Sequence, residues 1–377
     1  GIRDYYASRG LVDVYKRQTF GSPSVLMMFH RRSGTLDAEL TAMNECMPHY
    51  YRITQGHGQG AELLMNAEAA FMQGNFSDAQ ILLEQTYSTI ASNGQHNISL
   101  CCDFLAARLS LFQEGVTFVK NPEVKRKEFL SLHNMMWLNI FDSTYAYYYA
   151  LIRMPEKIPA LFKDHMLSTV SFLSPCRPMM EMIENQVFLS QKMYAKVIGR
   201  SETLLPFCEK MHYELVSLHV QIQTAAAYAM LGKHHDARQL LQKALGHAMP
   251  DGFLIPFVEN YTYIKDVLGS INSITPEPFT DRILSLGSVY EQHCLRLSSR
   301  NYRPEILNML NSREAEIAAL ITDRLSNREI AERLFLSEGT VKQYVNQIYS
   351  KLMINGDTRT KRKQLAELIS SINKSLT

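Results

Sequence analysis

Apolar residues recur at steps of three and four residues along almost the whole chain, and this spacing constrains the fold more than any other feature of the sequence. It is the period of one face of an α-helix, which completes a turn in about 3.6 residues. Runs that alternate apolar and polar residues are scarce, and no Asn-Gly or Asp-Gly pair joins two such runs as it would in a β-hairpin. The sequence therefore predicts an all-α protein.

Two ten-residue segments of this helical pattern, 70–79 and 228–237, follow the same plan. Each contains the end of a helix, a glycine at the turn, a short polar step and an Asp-Ala pair that opens the next helix. The glycine, Gly74 or Gly232, frees the backbone where the first helix ends. The small alanine lets the second helix approach the first closely. A weaker third copy is centred on residues 188–198, so the sequence predicts stacked helix pairs.

This plan resembles the tetratricopeptide repeat, in which helical hairpins stack into a superhelix. The resemblance implies a helical-repeat domain, to which we assign residues 19–300. Residues 1–18 lack the apolar stretch of a signal peptide and look similar to translated adapter sequence, so we predict a non-native leader there. A polar segment that closes with a proline, residues 298–304, predicts a domain boundary, with a second domain over 301–377.

Composition narrows the class of protein. The length of 377 residues exceeds one ordinary hydrophobic core. No apolar run approaches the roughly 20 residues that span a bilayer, so we expect no membrane partner. The six cysteines form no CxxC pair, which predicts reduced, mostly buried thiols in a cytoplasmic protein. Residues 338–363 contain six basic and two acidic residues, a net charge of +4, and this favours a polyanionic partner for that end.

Residues 310–352 carry the start signals of three short helices. Ser312 is predicted to cap the first helix. Ser326 is predicted to cap the second, and Glu329, three residues later, completes a capping box. Ser337 is predicted to cap the third helix after a short turn.

The third of these helices, about residues 338–352, has two unlike faces. One face is apolar at helical spacing: Val341, Val345, Ile348 and Leu352. The other is polar and basic, with no carboxylate after Glu338: Lys342, Gln343, Asn346 and Lys351. Gln and Asn can pair bidentately with adenine, and Lys can donate to guanine or to phosphate. The pattern predicts a recognition helix in the major groove of DNA.

Residues 306–372 resemble the LuxR-type helix-turn-helix domain. The resemblance is carried by Arg313-Glu314, Leu325-Ser326-Asn327, Glu329-Ile330-Ala331, Leu336-Ser337, Thr340-Val341-Lys342 and Lys351-Leu352. It implies base contacts by Lys342, Gln343 and Asn346. It implies phosphate contacts by Ser337, Thr340, Tyr344, Lys351 and Arg359, although Tyr344 stands where the family usually has His. It also implies a fourth helix, about 360–371, through which two copies pair as a homodimer on DNA.

Helical repeats ahead of such a domain resemble the C-terminal part of large ATP-dependent regulators of the maltose-activator type. In those regulators an ATP-binding module precedes the repeats. No GxxxxGK[ST] motif occurs in this sequence, and the Gly-rich loop 56–60 lacks the Lys and Ser/Thr that would hold phosphates and magnesium. We therefore expect no cofactor in this chain and predict that it is a fragment without that module.

Other candidate sites are weaker. An aromatic group could line a ligand groove, although packing between helices is the favoured interpretation: Trp137, Tyr145, Tyr147, Tyr148 and Tyr149. No cluster has metal-ligand spacing, and no catalytic arrangement of Ser, His and Asp or of paired carboxylates stands out. The sequence thus predicts a protein that is not an enzyme and holds no metal.

Two hypotheses for function remain. In the first, the protein is a sequence-specific DNA-binding transcriptional regulator whose repeat array senses a small-molecule effector or a protein partner. In the second, it is a protein-interaction scaffold in which the repeats carry the function and the DNA-binding end is vestigial. The intact polar face of the third helix favours the first.

Overall fold

The computed structural model describes residues 20–91, 95–113, 116, 122–131, 134–170, 172, 175–301, 310–323, 325–352, 354 and 360–366. The described residues are mostly helical and contain no strand, which confirms the predicted all-α fold. The predicted leader, 1–18, lies outside them. The chain divides into two compact units, residues 1–295 and 296–377. The boundary predicted after residue 300 lies a few residues beyond this division and stays a prediction.

The first unit is a succession of helices. In chain order they are α1 (Val25–Phe29), α2 (Leu36–Ile53), α3 (Ala61–Met72), α4 (Phe76–Ile90), α5 (His96–Leu109), α6 (Pro122–Ser131), α7 (Met135–Leu151), α8 (Ala160–Lys163), α9 (Arg177–Ser190), α10 (Tyr194–Met211), α11 (Glu214–Met230), α12 (His234–Ala248), α13 (Ile255–Glu259) and α14 (Tyr261–Ile274). Short 3-10 turns cover Pro155–Lys157, Leu167–Thr169 and Met249–Asp251. The next helix, α15 (Pro278–Asn301), runs across the division between the units. Among the described residues, no helix combines the length and apolar character needed to cross a membrane.

The predicted helix pairs are present. Helices α3 and α4 pack against each other after a turn at Gly74, and α11 and α12 do so after a turn at Gly232. Both glycines have a left-handed backbone, with φ of 80° and 75°. Ala79 and Ala237, which open the second helix of each pair, are fully buried. Helices α9 and α10 form a third pair at the predicted place. Tetratricopeptide geometry itself stays a prediction.

Helices from the end of the first unit pack against helices from its beginning. The backbone N–H of Leu254, just before α13, donates to the carbonyl oxygen of Met72 at the end of α3, over 2.8 Å. The rings of Phe112 and Tyr290 stack with centroids 4.7 Å apart. These contacts join segments of the first unit that are far apart in sequence.

A buried ion pair also joins the beginning of the first unit to its end. The Arg108 guanidinium on α5 donates through Nε to Oε1 of Glu259 over 2.7 Å and through Nη2 to Oε2 over 3.0 Å. The Tyr147 hydroxyl donates to the same carboxylate over 2.8 Å. The side chains of Arg108 and Glu259 are only 3% and 0% exposed. Tyr147 therefore belongs to the core, in agreement with packing between helices, the favoured interpretation of the aromatic group. Tyr145 is also buried.

The short helix α1 is part of this core. Val25, Leu26, Met27 and Met28 are buried. The buried carboxylate of Glu68 on α3 accepts hydrogen bonds from the backbone N–H groups of Val25 and Leu26, over 3.3 and 2.6 Å. Burial raises the pKa of Glu68 to about 7, although those hydrogen bonds and Arg108 oppose the rise. Helix α1 is thus fixed at its N-terminus by a side chain from the first helix pair.

We predict that Glu259→Ala lowers the free energy of unfolding of the first unit by about 3–5 kcal/mol, because it leaves the Arg108 charge buried without its partner. The control is Arg177→Ala. Arg177 is 56% exposed and pairs with Glu181 on the same helix, so its loss should cost less than about 0.5 kcal/mol. Urea unfolding followed by the fluorescence of Trp137, the single tryptophan, measures both. Equal, small effects would contradict the role given to the buried pair.

Candidate DNA-binding site

The second unit contains the three helices predicted from the cap signals: α16 (Ser312–Thr322), α17 (Asn327–Leu334) and α18 (Glu338–Lys351). Residues 360–366 are also helical and belong to the predicted fourth helix. The helices share one core of buried apolar residues: Leu310, Ile317, Ala318, Leu320, Ile321, Ile330, Ala331, Val341, Val345, Ile348, Tyr349, Leu352, Ile354 and Leu365. This core buries the apolar side of α18.

The cap predicted for the first of these helices was wrong by one residue. Asn311, not Ser312, is the N-cap of α16. Its side chain accepts from the backbone N–H of Glu314 over 2.9 Å, and the Glu314 carboxylate accepts from the backbone N–H of Asn311 over 2.7 Å. Asn and Ser are comparable caps, but only Asn311 has a Glu at the third helical position, where a capping box needs it.

The other two caps are confirmed. Ser326 and Glu329 form a capping box at the start of α17, with the backbone N–H of Ser326 donating to the carboxylate over 2.6 Å. At the start of α18, the Ser337 hydroxyl accepts from the backbone N–H of Thr340 over 3.1 Å. The beginning of α18 is therefore fixed by its own sequence.

Helix α18 has the two faces that the sequence predicted. The apolar positions are buried: Val341, Val345, Ile348 and Leu352. Lys342, Gln343 and Asn346 are exposed on the other side, within an arc of about 100°. In the part of the chain that the structure describes, none of these three side chains makes a hydrogen bond or an ion pair. Their donors and acceptors face solvent together, while their role as base contacts stays a prediction.

The residues predicted to contact phosphate lie in different surroundings. The hydroxyls of Ser337 and Thr340 lie 2.8 Å apart at the N-terminus of α18. Tyr344 is half-buried and packs against the core of the unit. Lys351 lies at the other end of the helix. Arg359 falls outside the described residues. The structure thus brings two of the five together.

Lys351 has a partner inside the domain. Its Nζ donates to Oε2 of Glu314 over 2.7 Å. The side chain of Glu314 is 1% exposed and that of Lys351 is 40% exposed. Burial alone would raise the pKa of Glu314, but the hydrogen bonds from Lys351 and the Asn311 backbone outweigh it and hold that pKa below its ordinary value. The contact of Lys351 with phosphate stays a prediction.

Sequence reasoning missed the second role of Glu314, which ties the start of α16 to the end of α18. The signal was present. Glu314 stands three and seven positions before Ile317 and Ile321, so it lies on the apolar side of α16. A carboxylate on a buried face needs a partner, since an unpaired buried charge is costly.

Two arginines brace α17, the helix before the turn. Arg313 on α16 donates through Nη2 to the carbonyl oxygen of Leu334, the last residue of α17, over 2.8 Å. Arg362 donates through Nη1 to Oδ1 of Asn327, the first residue of α17, over 2.9 Å. Both ends of the helix that precedes α18 are therefore held. Within the described ranges, no three His, Cys, Asp or Glu side chains gather to hold a metal ion.

We predict that Glu314→Gln, which keeps the shape and removes the charge, destabilises the second unit by about 1–3 kcal/mol. Because the pKa of Glu314 is depressed in the folded state, its contribution is complete above the ordinary value of about 4.3 and is lost as pH falls through the lower, folded-state pKa. Amide hydrogen exchange in peptides from α16 and α18 measures this. The control, Glu316→Gln, removes a half-exposed carboxylate from the same helix. Equal protection in the two variants would contradict the assignment.

Comparison of the sequence with known proteins gives one family match and several similar proteins. The family described as bacterial regulatory proteins, luxR family, matches residues 308–362. The transcriptional regulatory protein LnrK of Bacillus subtilis (strain 168) is 33% identical over 110 residues, which cover 29% of this chain and 49% of LnrK. DegU of Brevibacillus brevis is 45% identical over 53 residues, 14% of this chain and 22% of DegU. DesR of Bacillus subtilis (strain 168) is 36% identical over 75 residues, 17% of this chain and 38% of DesR.

The chain spans about half the length of these curated relatives or less. No solved structure gives a significant match to it. The family match covers α16, α17 and α18, including the exposed face of α18. The second unit therefore carries a helix-turn-helix domain of the LuxR family of bacterial regulatory proteins.

Proposed function

We propose that this protein is a sequence-specific DNA-binding transcriptional regulator that reads DNA with α18. The observation that carries the proposal is the face formed by Lys342, Gln343 and Asn346. These side chains are exposed and have no partner among the described residues, while the opposite side of the same helix is buried. The matched relatives LnrK, DegU and DesR are named transcriptional regulatory proteins, which supports the same proposal.

The chemistry of this face suits the major groove. Gln343 and Asn346 each offer a carbonyl oxygen and an amide NH₂, the pair of groups that matches N6 and N7 of adenine. Lys342 can donate to O6 and N7 of guanine. An α-helix fits the width of the major groove, and the N-terminal part of a recognition helix contacts the base edges. Lys342 and Gln343 lie in the first half of α18, and Asn346 lies just past its midpoint.

Phosphate contacts would position the helix. Ser337 and Thr340 present two hydroxyls at the N-terminus of α18, where the helix dipole also favours an anion. Tyr344, Lys351 and Arg359 complete the proposed phosphate contacts. Tyr344 packs on the core, Lys351 pairs with Glu314, and Arg359 lies outside the described residues. Pairing of two copies through the predicted fourth helix, of which the structure describes residues 360–366, is likewise a proposal.

We assign the first unit a sensing role for an effector or a partner. A cleft of about 490 Å³ lined by residues of α4, α5 and α6 supports it, and this lining combines apolar and hydrogen-bonding groups such as Tyr87, Asp103 and Lys125. A thermal-shift screen of small molecules on the full chain tests this role. The scaffold alternative, with a vestigial DNA-binding end, predicts no sequence preference in DNA binding.

We predict that the full chain enriches a preferred sequence from random duplex DNA. We also predict that its affinity falls steeply as salt rises, since each phosphate neutralised by a cation releases a counterion. Fluorescence anisotropy on the enriched duplex at several salt concentrations measures this. The absence of enrichment, or binding that is insensitive to salt, would favour the scaffold alternative.

We predict that Lys342→Ala, Gln343→Ala and Asn346→Ala each weaken binding to the preferred duplex by about 1–3 kcal/mol and change binding to random duplex little. The matched control is Ser350→Ala, an exposed residue in the last turn of the same helix. Lys351→Ala is a poorer probe of phosphate contact, because it also removes the partner of the buried Glu314. If the first three variants lowered the affinity for preferred and for random duplex by the same factor, α18 would not be the helix that recognises the base sequence.

A further inference from the structure

Phe335 has a conformation and an exposure that the domain itself does not explain. It is the C-cap residue of α17, and its backbone is left-handed, with φ of 54° and ψ of 46°. Its side chain is 96% exposed. Of the residues that end helices in this conformation, glycine is the usual choice because it has no Cβ, and asparagine is the common second.

The turn needs the conformation but not the ring. The backbone N–H of Leu336 donates to the carbonyl oxygen of Ala331 over 2.9 Å, which closes the end of α17 and reverses the chain toward α18. Leu336 packs partly against the core of the unit, whereas Phe335 projects into solvent. A bulky aromatic residue is strained in the left-handed region, and here no burial offsets the strain. The ring is therefore unexplained by the folding of the unit.

The position of Phe335 indicates what the ring contacts. It stands two residues before Ser337, the N-cap of α18, at the end of the helix that the proposed function inserts into the major groove. Residues just outside that end lie at the edge of the groove, beside the sugar–phosphate backbone. An uncharged ring gains nothing from phosphate, but it packs on apolar surface, and duplex DNA offers such surface in deoxyribose and in the thymine methyl group.

We propose that Phe335 is a DNA-contacting residue that packs on an apolar surface of the duplex at the edge of the major groove. The inference rests on the proposed function of α18 and adds to it a contact that involves neither a phosphate nor a hydrogen bond. The surface is the face of a deoxyribose or a thymine methyl group.

The test uses the full chain with Phe335→Gly and, as a second variant, Phe335→Asn. Both remove the ring and put a residue favoured in the left-handed conformation at the turn, so the melting temperature should stay the same or rise. Affinity for the preferred duplex should fall about tenfold, as expected for the loss of one well-packed apolar side chain. The dependence of affinity on salt should not change, because no phosphate contact is lost.

Three results would overturn the proposal. Unchanged affinity in both variants would mean that the ring serves another partner, such as a protein. If the slope of log affinity against log salt concentration became shallower by about one unit, the substitution at the turn would have removed a phosphate contact. A lower melting temperature in both variants would mean that the ring stabilises the domain. Wild-type protein that binds no duplex would instead overturn the proposed function first, and this inference with it.

A modified duplex distinguishes the two sources of apolar surface. Deoxyuridine in place of thymine removes the methyl group and leaves the sugar intact. If the wild type loses affinity on this duplex and Phe335→Gly does not, the ring packs on the methyl group. If the modification changes neither protein and Phe335→Gly still binds more weakly, the ring packs on deoxyribose.

Discussion

The position of α18 depends on one buried carboxylate. The Glu314 carboxylate completes the capping box at the start of α16 by accepting a hydrogen bond from the Asn311 backbone. It also accepts a hydrogen bond from Nζ of Lys351 at the end of α18. A buried carboxylate without partners would be costly, so this contact favours one relation between the two helices. The side of α18 that faces the core is then fixed, and the polar side with Gln343 faces outward.

The first unit also contains a buried ion pair, and its two residues are further apart in sequence. The pair of Arg108 and Glu259 joins α5 to α13, and Tyr147 satisfies the same carboxylate. Apolar packing alone would tolerate small shifts between neighbouring helices, whereas separating a buried ion pair leaves an uncompensated charge and is strongly destabilising. In both units, then, a charge taken out of water specifies which helices meet.

Much of the candidate site could be predicted from sequence because its determinants are local. The caps at Ser326 and Ser337 and the two faces of α18 follow from residues within four positions of each other. The pairs that fix the helices relative to one another could not be predicted. Glu314 and Lys351 are 37 positions apart, and Arg108 and Glu259 are 151 apart, and a single sequence does not reveal which distant charges meet. The helix pairs at Gly74 and Gly232 were predictable for the same local reason, whereas the contacts between the beginning and the end of the first unit were not.

The proposed function requires that α18 reads base edges in the major groove. Methylation interference on the preferred duplex tests it directly, because dimethyl sulfate modifies N7 of guanine in the major groove and N3 of adenine in the minor groove. If α18 reads the major groove, methylation of guanine N7 within the preferred sequence blocks binding by the full chain, while methylation of adenine N3 has little effect. Interference at adenine N3 alone, or at neither position, would contradict it.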